Sequence, residues 1–174
     1  MPIPEVNRLA NAFIAGAQSV NPSVEVKVTF INSFFDPATA KEAALAQIAA
    51  GVDVIYAERA GVIEAAAEKG ILAFGNMSDQ SSIAPDTVVT SAVWNMAPTV
   101  AYVLDQVAKG AYSAQDLKDF SMMGKGGASL APINEKLVPA DLLKKVQDQL
   151  ALIQSGGFRV DINEGQPAGS VQAG

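Results

Sequence analysis

The chain has 174 residues, of which 49% are hydrophobic and only 17% charged, with a net charge of -6. That suits one globular domain with a real core and argues against a disordered chain. No Lys/Arg cluster marks a nucleic-acid face, and no apolar run approaches the ~20 residues that cross a bilayer.

Cysteine and histidine are both absent. Disulfides, thiol catalysis, Ser-His-Asp chemistry and the usual zinc ligands are therefore excluded, while carboxylate or lysine chemistry remains open. A chain without cysteine fits an oxidising compartment as well as the cytosol. The opening "MPIPEV" lacks the basic start and apolar stretch of a signal peptide. An exported protein with this sequence would be expected to carry more chain ahead of it.

Taken in order, the elements alternate. Val6 to Val20 places Val6, Leu9, Ala10, Phe13, Ile14 and Ala17 at helical spacing, and Asn21-Pro22 stops the helix. "VEVKVTFI" alternates as a strand, with Val24, Val26, Val28 and Phe30 on one face. The loop "NSFFDP" follows, then an alanine-rich helix from Ala38 to Ala50 ended by Gly51. "VDVIYA" reads as a short buried strand, "GVIEAAAEKG" as a helix closed by Gly70, and "ILAFG" as another strand. After the loop "NMSDQSSIAPD", "TVVTSAV" is a strand, and Met96 to Lys109 is a helix ended by Gly110. "DLKDFSMM" is expected to be a strand leading into "GKGGAS". Val138 to Gln154 is a helix with Leu142, Leu143, Val146, Leu150 and Ile153 inward, and the Gly/Pro/Gln-rich stretch 163–174 is expected to be a flexible tail.

Such alternation predicts an α/β three-layer sandwich around a mainly parallel sheet. Ligands of these sheets bind beyond the carboxyl ends of the strands. The loops "NSFFDP", "ERAG", "NMSDQ" and "WNMAP" are expected there.

The residues of these loops each carry two readings. In extended chain, neighbours point to opposite sides, so one of Phe34 and Phe35 can plug the core while the other offers a flat face to a ligand. Both can equally pack under the next helix. Asp36 before Pro37 is either a ligand carboxylate or the cap of the following helix. Asp79 is a turn carboxylate bonding its own backbone, or an acceptor for a ligand's hydroxyls with the Asn76 amide beside it. Glu58 and Arg59 are a solvated pair at a helix start, or a cleft wall. Trp94, the one tryptophan, is a core anchor or a platform. "GKGGAS" lacks the spacing of a phosphate loop and suits a flexible crossover, with Lys125 available to an anion.

Together, "PEVNRLANAFIAGAQSVNPSVEVKV", "SFFDP", "AALAQIAAGVDVIY", "GVIEAAAEKGILAFGNMSDQSSIAPDTVVTS" and "FSMMGKGGASLAP" resemble the basic membrane protein family. Its members are substrate-binding proteins of ABC importers, best known as purine nucleoside receptors, and the resemblance implies a parent protein in the periplasm or anchored as a cell-envelope lipoprotein. The resemblance runs from Pro2 to about Val160. It implies a periplasmic-binding-protein type I-like fold in which two α/β lobes close on ligand. The matched stretch corresponds to the second lobe, over residues 1–162. Within it, the helix of residues 95–110 packs, in the family, on a first lobe that this chain lacks.

The resemblance also implies roles. Phe34 matches the aromatic residue that stacks on the purine, Asp36 is that motif's acid, and Phe35 falls to the core. Asp79 matches the acid that contacts ribose. Three positions depart: Met77 replaces the first acid of that loop, Trp94 stands where the nucleoside receptors have lysine, and "AERAG" replaces a glycine-rich loop. A free base or another small polar ligand then fits as well as a nucleoside. The expected ligand contacts are Phe34, Asp79, Asp36, Asn76, Glu58, Arg59 and Trp94, with no cofactor, no metal and no covalent chemistry. The expected partners are a purine or nucleoside and, for the parent protein, an ABC permease. Two alternatives stay open: a lobe that self-associates without ligand through its exposed hinge face, and a flavodoxin-like or hydrolase-like enzyme using Asp36, Asp79 or Lys125.

Overall fold

A computed structural model describes residues 1–173. In chain order the elements are α1 (Pro4–Val20), β1 (Thr29–Phe30), α2 (Pro37–Ala49), β2 (Val54–Tyr56), α3 (Val62–Lys69), β3 (Leu72–Met77), β4 (Val88–Trp94), α4 (Ala97–Ala108), β5 (Ala128–Leu130), α5 (Ala140–Gln154) and β6 (Val171–Gln172). The alternation expected from sequence is largely present, and the fold is a mixed α/β architecture. Two compact units divide the chain: residues 1–72 with those from 160 onward, and residues 73–159.

In the first unit, Pro4 opens α1, where a missing N–H costs nothing. The Phe13 ring of α1 stacks on Tyr56 of β2 at 5.0 Å and 10°. Helix α2 begins at Pro37 under the Asp36 cap, and its alanines let it lie close against α3. Ala40 and Ala44 of α2, and Ala65 and Ala66 of α3, are buried, and Lys41 bridges to Glu68 at 3.0 Å. Gly70, in the left-handed region, closes α3 as expected.

Two expectations change here. The strand "VEVKVTFI" shrinks to Thr29–Phe30. Its partner β6 is equally short, pairing in parallel with Thr29 opposite Val171 and Phe30 opposite Gln172. The Lys27 carbonyl is taken by the Gln47 amide instead of by a strand neighbour. The stretch from Asn163, expected to fray, is tied down. Asn7 donates to the Glu164 carbonyl at 3.0 Å, Asn11 donates to those of Asn163 and Gly165, and Val171 and Ala173 donate to Val28 and Phe30. Composition marks such a segment as loose. Long-range hydrogen bonds from two asparagine side chains and from the backbone, which composition does not report, hold it.

In the second unit, β3 and β4 pair in parallel from Ala73 opposite Val88 to Met77 opposite Val93, and β5 runs antiparallel to β4. "DLKDFSMM" is not a strand: it forms two short 3-10 turns, Lys118–Ser121 and Met123–Lys125. The reason is local. Asp116 accepts from the Lys118 N–H, and Ser121 donates to the Lys118 carbonyl, so side chains take the backbone groups a strand would use. "GKGGAS" ends as β5, and Asn95 grips it, its side chain donating to the Gly126 carbonyl at 2.9 Å and its backbone N–H to the Gly127 carbonyl at 2.8 Å. Helix α5 has no buried residue, and Leu142, expected inward, is exposed. Among the described residues no helix is long and apolar enough to cross a membrane.

Candidate functional site

The loop after β1 sets the first group of side chains. Asn32 adopts a left-handed backbone (φ 56°), and its side chain donates to Gln172 of β6 at 3.1 Å. That kink ends the extended chain, so strict alternation stops before the two phenylalanines. Phe34 is 58% exposed and Phe35 is 79% exposed. Phe35 as a core plug is therefore overturned: the Phe35 N–H turns back to Ser33 Oγ at 3.2 Å, and its ring projects outward. Asp36 does what its position before Pro37 suggests. It caps α2, accepting from the Thr39 N–H at 3.1 Å and the Thr39 hydroxyl at 2.8 Å. Those bonds hold its carboxyl below the usual aspartate range.

The turn after β2 lies against this loop. At Gly61 (φ 98°), a Cβ would sit 2.2 Å from the Pro37 carbonyl oxygen, so only glycine allows the approach. The approach brings Arg59 over the Phe34 ring, its guanidinium carbon 5.3 Å from the ring centroid. Arg59 Nε donates to the Ser33 carbonyl and Nη1 to the Glu58 carbonyl, both at 3.3 Å, and Nη1 also pairs with the Glu58 carboxylate. Both charged side chains are largely covered. Burial raises the Glu58 pKa, and Arg59 offsets part of the rise. A solvated pair at a helix start is not what forms; the pair packs behind an aromatic ring.

The second group belongs to the second unit. Ser78 N–H reaches back to the Asn76 carbonyl at 2.9 Å across Met77, whose φ is 70°. This is a γ-turn of the rare, strained hand. Gln80 fixes it: its side-chain oxygen accepts from Asn76 N–H at 2.9 Å, and its own N–H donates to Ser91 Oγ at 3.1 Å. Gly75 makes room, because a Cβ there would meet Ser91 Oγ at 2.3 Å. The Asn76 side chain is 3% exposed, and both amide atoms lack a partner. Asp79 sits at the surface, accepts from Ser81 N–H at 2.9 Å, and has a pKa lowered by that bond. Trp94 ends β4 and is half-exposed.

Sequence reasoning missed the contributors that shape these loops: Gly61, Gln80, Ser91 and the β6 segment. The glycine and glutamine were visible as residues, but nothing local marked what they would touch. An open groove of about 580 Å³ in the first unit, lined by Lys27, Thr39, Glu42, Gln47 and Val171 among others, contains none of the expected ligand residues. Among the described residues no cluster of acidic side chains suited to a metal ion is present.

A loop-borne aromatic ring and strained strand-end turns are what a binding surface offers, and comparison with known proteins decides the family. The model for ABC transporter substrate-binding proteins of the PnrA-like kind matches residues 1–121. The chain belongs to this family. A purine-binding protein of Brucella abortus is 38% identical over 161 residues, which cover 90% of this chain and 44% of that protein. A Haloferax volcanii protein named as an ABC transporter glucose-binding protein is 36% identical over 115 residues, covering 65% of this chain and 29% of its own length. Among solved structures, a transcriptional activator of comK from Bacillus halodurans superposes with TM-score 0.67 at 26% identity, over 84% of this chain and 52% of that one. A solute-binding protein of an ABC transporter system from Conexibacter woesei gives 0.62 at 23%, over 86% and 50%, a likeness of fold. This PnrA-like chain thus spans about half or less of the relatives it matches. The family is one of substrate-binding proteins, not of enzymes.

Proposed function

We propose that this chain is the ligand-capturing second lobe, residues 1–162, of an ABC importer's substrate-binding protein, and that its ligand is a purine base or nucleoside. The observation that carries the reading is the Phe34 ring, 58% exposed and backed by a guanidinium at 5.3 Å. A flat, held aromatic face is what a nucleobase stacks on. The 38% identity to a purine-binding protein supports the ligand class. Within the second unit, Asp79, ionised at the surface, is the polar contact we assign by the resemblance, with the half-exposed Trp94 as a further candidate wall, while Asn76, whose amide is buried, shapes the strand end beside them. Asp36 acts through the helix it caps. The parent protein would work in the periplasm or as a cell-envelope lipoprotein, delivering ligand to a permease.

Such sites bury ~70–90% of a small ligand between two surfaces. Each ~1.4 kcal/mol of contact that is lost costs tenfold, so binding to this chain alone is expected near the millimolar range. Native mass spectrometry after gentle purification, followed by ligand-observed NMR with adenine, hypoxanthine, guanosine and glucose, tests the reading. Purine signals that vanish in Phe34→Ala support it. Binding of glucose and of no purine refutes it.

One observation favours a second role. Helix α4 has no buried residue, yet Met96, Val100, Leu104 and Val107 form an exposed apolar stripe along one side. Such a stripe seeks a partner. It suits the first lobe of the family's two-lobed members or, failing that, a second copy of this chain. Sedimentation that depends on protein concentration and becomes monomeric in Leu104→Glu would establish self-association. A monomer at all concentrations would dismiss it.

A further inference from the structure

We propose that Arg59 is the positioning residue of the Phe34 platform, covering one face of the ring and leaving the opposite face to the ligand. This rests on Phe34 being the stacking residue. The arrangement is over-determined for a surface arginine. Its guanidinium is fixed by the Ser33 carbonyl in the aromatic loop, by the Glu58 carbonyl in its own turn, and by the Glu58 carboxylate, and it lies 5.3 Å from the ring centroid. A long side chain that is usually mobile and solvated is here held mostly out of water. Gly61, passing against Pro37, sets the distance between the two loops. The stretch "AERAG" therefore has a use: it supplies a charged backing to an aromatic side chain that otherwise projects from a turn.

Two consequences follow. First, the ring is held in one orientation, so a ligand does not bear the cost of ordering it. Second, a cation on the hidden face draws π density toward itself. The open face then favours electron-rich neutral rings and disfavours rings that carry a positive charge. The ligand class this selects is a neutral purine, with its N7-alkylated cationic form rejected.

The test compares wild type with Arg59→Lys, Arg59→Gln and Arg59→Ala, using guanosine and the 7-methylguanosine cation as probes in NMR titrations. Thermal unfolding confirms that each variant folds. The inference expects guanosine affinity to fall about two- to fivefold in Arg59→Gln and Arg59→Ala, with recovery in Arg59→Lys. It also expects the preference for guanosine over its methylated cation to shrink in Arg59→Gln. A ligand-free signature accompanies this: the Arg59 side-chain protons should be shifted upfield by the Phe34 ring, and the shift should be lost in Phe34→Leu. If purines bind and Phe34→Ala removes them, but Arg59→Gln changes neither affinity nor preference, the positioning role is overturned while the purine reading stands. Absence of the upfield shift overturns it equally. If wild type binds neither probe nor any other purine, both fall together.

Discussion

Replacing Phe34 with alanine is the perturbation with the clearest arithmetic, because Phe35 beside it is a built-in control. Stacking of a nucleobase on an aromatic side chain contributes ~1–3 kcal/mol. Phe34 offers one open face, since the Arg59 guanidinium sits 5.3 Å over the other. The ring is also 58% exposed, so part of its surface remains wet. Both facts place the contribution at the lower end, about 1–1.5 kcal/mol, which is roughly a five- to twelvefold loss of affinity. Phe35, at 79% exposure and turned back by its bond to Ser33, should change affinity less than about twofold when truncated. Neither ring is buried, so the two variants should unfold within about 0.5 kcal/mol of wild type. Saturation-transfer NMR titration with hypoxanthine reads the affinities, and urea unfolding reads the stabilities. Equal weakening by the two substitutions would refute the reasoning, because it would mean that general apolar surface, and not an oriented ring, holds the ligand. A loss of several kcal/mol in stability on truncating Phe34 would refute it too, by showing the ring to be a packing residue.

Gly61→Ala should destabilise by at least ~2 kcal/mol, because the new methyl meets the Pro37 carbonyl at 2.2 Å on a left-handed backbone; unchanged urea unfolding would dismiss that contact. Asn76→Leu should raise the melting temperature by a few degrees, since it replaces a buried amide whose oxygen and nitrogen have no partner with an apolar side chain of like size; a lower melting temperature would mean that the amide is satisfied in solution. The pH dependence of stability should carry two opposed contributions. Asp36 is held below its usual range by Thr39, so its contribution is present above the ordinary aspartate value and is lost as pH falls through the depressed one. Asp36→Asn, which keeps the cap, should flatten the acid limb of melting temperature against pH. Glu58 is raised by burial, so its contribution is full below the ordinary glutamate value and fades as pH rises through the folded one. Glu58→Gln should flatten the profile on that higher side, and an unchanged slope would refute the assignment.

What the sequence disclosed about the fold were the features written locally. Helix ends were legible because Asn21, Gly70 and Gly110 stop helices by their own backbone preferences, and the structure ends helices at or beside each of them. Strand length was not legible at β1, because alternation reports which way side chains point and not how long a partner strand runs; β6, the partner, pairs Thr29 with Val171, 142 residues away. "DLKDFSMM" misled for a different reason. Its apolar content suits a strand, but Asp116 and Ser121 offer backbone partners within four residues, and the nearer bonds win.

At the candidate site the division is sharper. Asp36 as a cap needed only Pro37 and Thr39, all within one turn of chain, and it appears as read. Phe35 failed because a single left-handed residue, Asn32, broke the alternation on which its placement depended, and asparagine tolerates that backbone without announcing it. Arg59 could be read only as a charge near a helix, since its role lies in a ring 25 positions earlier that reaches it through one glycine-to-carbonyl approach. The chemistry of a loop is therefore legible to the distance its own hydrogen bonds reach. Beyond that, the partner across the gap decides whether a charge is solvated or stands behind an aromatic face. For this chain the deciding partner is Gly61 against Pro37: with any larger residue there, the two loops would part and Arg59 would have no ring to cover.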